Sequence, residues 1–401
     1  MGPLTGYRIL DLTTVLMGPY ATQFLADFGA EVIKIEPLKG DLVREIGPKR
    51  SAEMGPIFLN TNRAKRSVAL DLKTPEGRQL LLDLCRDADA LVYNIRPAAM
   101  RRLGLSYEEV AAVNPRIVYA GCYGFGQDGA YAAKPAYDDL IQGGACLSHL
   151  FTLVDGDRPR YVPSAMADRI VGVVTVSAIL AALVARGDGH GQRVDVPMFE
   201  TMVHFVMGDH LGGLTYDPPL DGGGYARQLA RDRRPYRTAD GFVCALLYTD
   251  DHWRRFLTAV GQGDLMDSDP RFASFSSRMA HLDVVYGMLG SIFLTRTSAE
   301  WVALLNEVDV PVMWMHDFQS ILQDEHLNSV NFFRRVTHPT EGPILSMANP
   351  IRMSHTPPDD TGHAPRLGEH SLETLHGLGL SQTTIDELIA RKVIGVLPAE
   401  G

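Results

Sequence analysis

Asp168 is the residue whose surroundings promise the most chemistry. It stands in PSAMADRIVG, where a turn gives way to the uncharged run Ile170–Ala185. A helix opening there offers one carboxylate two roles. It can serve as an ordinary N-cap aspartate. It can also attack an activated acyl group, because the helix dipole favours the ionised form while apolar neighbours keep water scarce. Positive charge gathers elsewhere. From Lys34 to Arg66 there are eight Lys or Arg against four Asp or Glu, including Arg63, Lys65 and Arg66 in NRAKRS; Lys73 and Arg102 add to the set. Such a set is either a solvated basic face or a site for a phosphorylated ligand. A later cluster, Arg227, Arg231, Arg233, Arg234 and Arg237, reads as a solvated loop or as a dicarboxylate site.

Other chemistries are poorly encoded. Glu36 ends a strand where a ribose-binding acid would sit, but the loop before it, TTVLMGP, lacks G-x-G-x-x-G, so its backbone cannot approach a pyrophosphate closely. Gly124–Gly129 fits that pattern without opening a helix. The chain has no H-E-x-x-H, no G-x-S-x-G, no P-loop and no C-x-x-C among its four cysteines. No metal, NAD or FAD is therefore expected. With 401 residues, 45% hydrophobic and 21% charged, two or three folding units fit. A net charge of −10 argues against nucleic acid. The start shows no export signal. Ile170–Ala185 is too short for a bilayer and is bracketed by Asp168, Arg169 and Arg186, so a core helix is expected. A cytoplasmic protein with no membrane partner follows.

The elements that must position these residues alternate. Arg8–Leu12, Glu31–Glu36, Ser67–Leu70, Asp89–Tyr93 and Arg116–Cys122 read as buried strands. Between them come a helix over Tyr20–Phe28, stopped by Gly29, and one opened by Thr74-Pro75 with Leu80, Leu81, Leu84 and Cys85 as its stripe. This is the pattern of an α/β fold with a Rossmann-like parallel sheet, whose ligands sit beyond the carboxyl ends of the strands. A large domain over 1–210, a linker over 211–237, a smaller α/β domain over 238–325 and a return to the large domain over 326–401 are expected. Asp250 is read as the N-cap of a helix in the small domain, and Ser381–Arg391 as an amphipathic helix.

The segments RILDLTTVLMGPYATQFLADFGAEVIKIE, NRAKRSVALDLKTPEGRQLL, LVYNIRPAAMRRLGL, NPRIVYAGCYGFGQDGAY, PAYDDLIQG, ADRIVG and GHGQRVDVPMFE together resemble the class III CoA-transferases (CaiB/BaiF). The resemblance implies an acyl-CoA donor, a carboxylic acid acceptor and Asp168 as nucleophile. Asp138 and Tyr137 are the further catalytic candidates. It implies CoA contacts at Val15, Leu70, Lys73, Asn94, Ile95 and Arg102. Pro37 stands where the family often has arginine, with Lys39 as the substitute. It also implies a homodimer of ring-like, interlocked subunits. The racemases of the same fold are the alternative, and Tyr137, where they place a histidine, argues against them. A silent CoA-binding protein is a further alternative.

Overall fold

Six short segments become the parallel strands of one sheet: β1 (Arg8–Leu12), β2 (Glu31–Glu36), β3 (Lys65–Leu70), β4 (Ala90–Tyr93), β5 (Val118–Tyr123) and β6 (Gln192–Pro197). Their order is β3-β2-β1-β4-β5-β6, and Ile394–Gly395 adds a short antiparallel edge beside β3. The computed structural model describes residues 1–156 and 158–397.

Strands β1 to β5 are buried on both faces, as a sheet covered by helices requires. Leu10, Ile33, Val68 and Leu91 face a layer that includes Leu80, Leu81 and Leu84 of the helix Pro75–Cys85. Ile9, Val32, Val92 and Val118 face the opposite layer, built on the helices Met17–Asp27 and Met166–Ala185. Period-two alternation along each strand thus feeds two separate cores. The chain reverses direction across the sheet between β1 and β4, and a cleft opens at such a point beyond the strand ends.

The long apolar helix packs into the core through one face, as expected of a core helix, and leaves an apolar stripe outside it. It starts at Met166, and only one face is buried, through Val171, Thr175, Val176, Ile179 and Leu183. Val173, Val174 and Val184 are 48%, 39% and 81% exposed. It is a sheet-covering helix.

Contacts divide the chain into two units. The first holds Met1–Cys146, Tyr161–Phe205 and His326–Gly401; the second holds Leu147–Arg160 and Val206–Glu325. Residues 211–237, read above as a linker, fall within the second unit. They supply the strand Tyr236–Arg237, which joins Phe242–Ala245 and Val312–Trp314 in a three-stranded sheet. Trp253, Phe256, Phe293 and Trp301 form that unit's own core. Thr249, not Asp250, is the N-cap of the helix Asp250–Ala259: its hydroxyl accepts from the His252 N–H, while Asp250 is turned to Arg278.

Candidate active site

Asp168 is the third residue of its helix rather than the cap. The N-cap is Ala165, which has no side chain to satisfy the first-turn amides. Asp138, the first residue of the helix Asp138–Gly144, does this instead, its Oδ1 accepting from the Asp168 N–H at 2.9 Å. The other carboxylate oxygen accepts from Gln142 Nε2 at 2.6 Å. Gln142 is fully buried and also binds the Ser164 carbonyl at 3.1 Å and the Val162 N–H at 2.9 Å. One carboxamide therefore fixes both Asp138 and the turn that leads into Asp168. Sequence reading missed Gln142; its only signal is the i,i+4 spacing from Asp138 on one helix face.

The Asp168 carboxylate is left free. Among the described residues no group donates a hydrogen bond to it. Burial, followed by the negative charge of Asp138, pushes its pKa up to about 7, with Arg169 pulling weakly the other way. This corrects the expectation of a carboxylate held charged by the helix dipole. Desolvation and a neighbouring anion outweigh a dipole whose amide is already taken by Asp138. Arg169 turns aside, its guanidinium 4.1 Å over the Tyr20 ring.

Close helix contact sets where Asp168 sits. One turn along, Gly172 packs on the start of the helix Met17–Asp27, and a Cβ there would lie 2.9 Å from the Met17 carbonyl. Asp168 therefore lies beside the opening of that helix, at the carboxyl edge of the sheet. Gly172→Ala should push the two helices apart, costing about 1–3 kcal/mol of stability and lowering kcat more than it changes KM; urea unfolding and steady-state kinetics check this.

The loop after β1 is held in an unusual shape. Val15 has a φ of 69°, a left-handed conformation that costs a β-branched residue about 1–3 kcal/mol. Its N–H donates to Asp41 Oδ1 at 3.0 Å. Asn94 grips the preceding residue, Oδ1 accepting from the Thr14 N–H at 3.0 Å and Nδ2 donating to its carbonyl at 2.7 Å. Lys34 Nζ ties Asp41 to the Thr13 carbonyl at 3.0 and 2.8 Å. Val15 and Asn94 are thus brought together at the switch point between β1 and β4.

The basic segment is mostly not a ligand surface. Lys34, Arg44, Arg63 and Lys65 are buried and committed to internal carboxylates. Arg44 grips Glu36 with two bonds of 2.8 and 2.7 Å, and Arg63 grips Asp27 at 2.9 and 2.6 Å. Glu36 accepts from Ser67 as well, so it is no ribose ligand. Arg66 pairs with Glu373 at 2.9 Å. These cations were bought for the fold, each by a carboxylate that satisfies its burial. Lys39, Lys73 and Arg102 remain exposed.

Comparison with known proteins decides the class. Residues 4–371 match CoA-transferase family III. The chain belongs to this family. It is a class III CoA-transferase, acting on acyl-CoA and carboxylate substrates. It is 32% identical over 391 residues to the succinate–glutarate CoA-transferase of Agrobacterium fabrum, covering 95% of this chain and 97% of that one. It is 31% identical over 412 residues to the formyl-CoA:oxalate CoA-transferase of a Bradyrhizobium species, covering 96% of each. The crystal structure of Rv3272 from Mycobacterium tuberculosis superposes with a TM-score of 0.81 at 28% identity, covering 93% of this chain and 99% of that chain.

In this transferase the other expected site residues stand as follows. Leu70 is 1% exposed with its side chain in the core, so only its main chain faces the strand ends. Ile95 packs against the same core. Lys73 follows β3, its N–H donating to Asp71 Oδ1 at 3.0 Å, and Arg102 closes the helix Pro97–Arg102. Tyr137 precedes Asp138, but its side chain is 70% exposed and takes no part in the Asp138–Asp168 linkage.

Proposed function

We propose that CoA moves from an acyl-CoA donor to a free carboxylic acid through covalent intermediates on Asp168. The observation that carries this is a half-buried carboxylate with no hydrogen-bond donor of its own, backed by a second carboxylate that holds its backbone. A poorly solvated oxygen without a hydrogen-bond donor is the better nucleophile toward a thioester. Asp168 attacks the thioester carbonyl, the C–S bond breaks, and an acyl-aspartyl anhydride and CoA thiolate result. The thiolate attacks the aspartyl carbonyl, releasing the donor acid with one former Asp168 oxygen and leaving an aspartyl-CoA thioester. The acceptor carboxylate attacks this thioester to give a second anhydride. Thiolate attack on the acceptor's carbonyl then releases the new acyl-CoA and restores Asp168.

The amide of Gly18, in the first turn of the helix Met17–Asp27, is better suited to the tetrahedral oxyanion than those of Gly143 or Gly144. First-turn amides lack intrahelical acceptors, whereas those two lie at the end of their helix. Lys73, Arg102 and Lys39, all exposed, suit the CoA phosphates, while Val15, Leu70, Asn94 and Ile95 are assigned to the nucleotide's path. Lys73→Gln with Arg102→Gln should raise KM for acyl-CoA about tenfold at unchanged kcat. The stripe Val173, Val174 and Val184 supports a homodimer, interlocked as in the family likeness. The relatives' names point to small acids as donor and acceptor. Exposure of Tyr137 gives no support to an α-proton base, so no deuterium should enter the acyl α-carbon from heavy water.

Two measurements test the reading. Acceptor acid labelled with heavy oxygen in its carboxylate should pass label to the released donor acid after repeated turnover; absence of label there would remove the aspartyl route. The pH profile of kcat/KM should rise to a plateau through about pH 7, because the attacking form is the carboxylate and its pKa stands near that value. Asp138→Asn should move this limb to lower pH, since it deletes the anion that helps raise it.

A further inference from the structure

We propose that the second unit carries its own binding site for an amphipathic carboxylic acid, with the carboxylate on Arg227 and Arg233 and the apolar tail in the chamber beneath them. The chamber has a volume of about 500 Å³, within the range of small-molecule sites. Its floor is apolar and closed: Trp253, Val285 and Leu289 are 3%, 3% and 1% exposed. Its rim is open and aromatic, with Tyr248 and Phe275 meeting edge to face at 5.6 Å.

Four arginines line this chamber, and their partners separate them. Arg278 is held by Asp250 and by the Phe272 carbonyl. Arg234 is folded back on the Arg231 carbonyl at 2.6 Å and lies 3.5 Å from Asp232. Arg227 and Arg233 have no carboxylate partner among the described residues. Arg227 is half-buried, its guanidinium 5.4 Å over the Tyr248 ring, which holds it at the rim. Both line the chamber with Tyr236, the buried wall residue next in the chain after Pro235. In a chain of net charge −10, two unpaired guanidinium groups above an apolar floor form an incomplete ion pair. A planar carboxylate completes it with parallel bonds, while the floor takes a tail that a compact, hydrated phosphate lacks. Of the arginine cluster in the sequence, Arg227, Arg233 and Arg234 line this chamber, whereas Arg231 and Arg237 lie outside its lining and are exposed.

The site stands independently of Asp168, and the test keeps the two apart. Cys244 lines the chamber and is exposed, so its alkylation rate reports occupancy; Cys146, an exposed thiol in the first unit, is the internal control. Phenylbutyrate should slow alkylation of Cys244 saturably and leave Cys146 unaffected. Phenylbutyramide, equal in shape but neutral, should bind about tenfold more weakly. Arg227→Gln with Arg233→Gln, both on the rim, should abolish the preference for the acid, and Asp168→Asn should keep it. Equal protection by acid and amide, a preference that survives the double substitution, or no saturable protection of Cys244 would overturn the proposal. Protection lost in Asp168→Asn would assign the acid to the transferase site instead.

Discussion

Replacing Asp168 by asparagine is expected to abolish CoA transfer while making the protein more stable above neutral pH. The loss of turnover should be about a thousandfold or more, since the neighbouring carboxylate, Asp138, is engaged by the residue 168 N–H and by Gln142. The stability change follows from the same environment. The folded state holds the Asp168 pKa near 7, against an ordinary value of 3.8, so it retains a proton that the unfolded chain releases between those limits. Stability therefore falls as pH rises through that window, and the full penalty is present above it. Asparagine removes the penalty, so its melting temperature should exceed that of wild type near pH 8 and match it near pH 4. A carboxylate that merely capped the helix would behave oppositely, with stability lost at neutral pH and activity kept. Thermal melts at the two pH values beside an acyl-exchange assay separate these outcomes.

Lys65→Met carries the largest expected cost to the fold, about 3–5 kcal/mol, because it strands a buried charge. Lys65 and Asp11 are both fully enclosed, with Nζ 3.0 Å from Oδ2. Lys65 Nζ also binds the Pro19 carbonyl at 2.9 Å, Thr22 Oγ1 at 2.7 Å and Asn62 Oδ1 at 2.8 Å. Burial alone would raise the Asp11 carboxyl. The charges of Lys65 and Lys34, with the hydroxyls of Thr13 and Thr22, instead hold it far below the carboxylate range. Its contribution to stability is thus present above the unfolded carboxylate pKa and is lost as pH falls well below it. The same cluster holds the start of the helix Met17–Asp27 and the strained Val15 loop, so activity should fall before the chain unfolds. Urea unfolding at neutral pH measures the cost. Asp11→Asn with Lys65→Met should lose less than the sum of the single losses, because neither charge is then left alone.

Much of this framework is legible in the residues, and the failures share a cause. Arg8–Leu12 and Glu31–Glu36 were readable to the residue because apolar runs between turn signals admit one element. Strand β6 was harder to see, since Gln192–Pro197 is an edge strand with a mostly polar, exposed pattern. Lys34, Arg44 and Lys65 suggested a phosphate site because a charge count cannot tell an ion paired across the core from one facing water. Their partners, Asp41, Glu36 and Asp11, lie on other strands or loops, Asp11 two strands away from Lys65, and only the sheet register joins Lys34 to the β1 loop. The environment of Asp168 was misjudged for a similar reason. Its nearest anion, Asp138, is thirty residues away in sequence and touches it only through the packing of two helices. Local sequence could show the helix end but not what caps it.

The most direct test of the central claim is to trap the covalent state. The transferase, incubated with an acyl-CoA that it turns over and then with hydroxylamine, should carry a hydroxamate on Asp168 in peptide mass spectra, with CoA released in equal amount. Continued turnover with Asp168 unmodified, or a hydroxamate on a different carboxylate, would contradict the account.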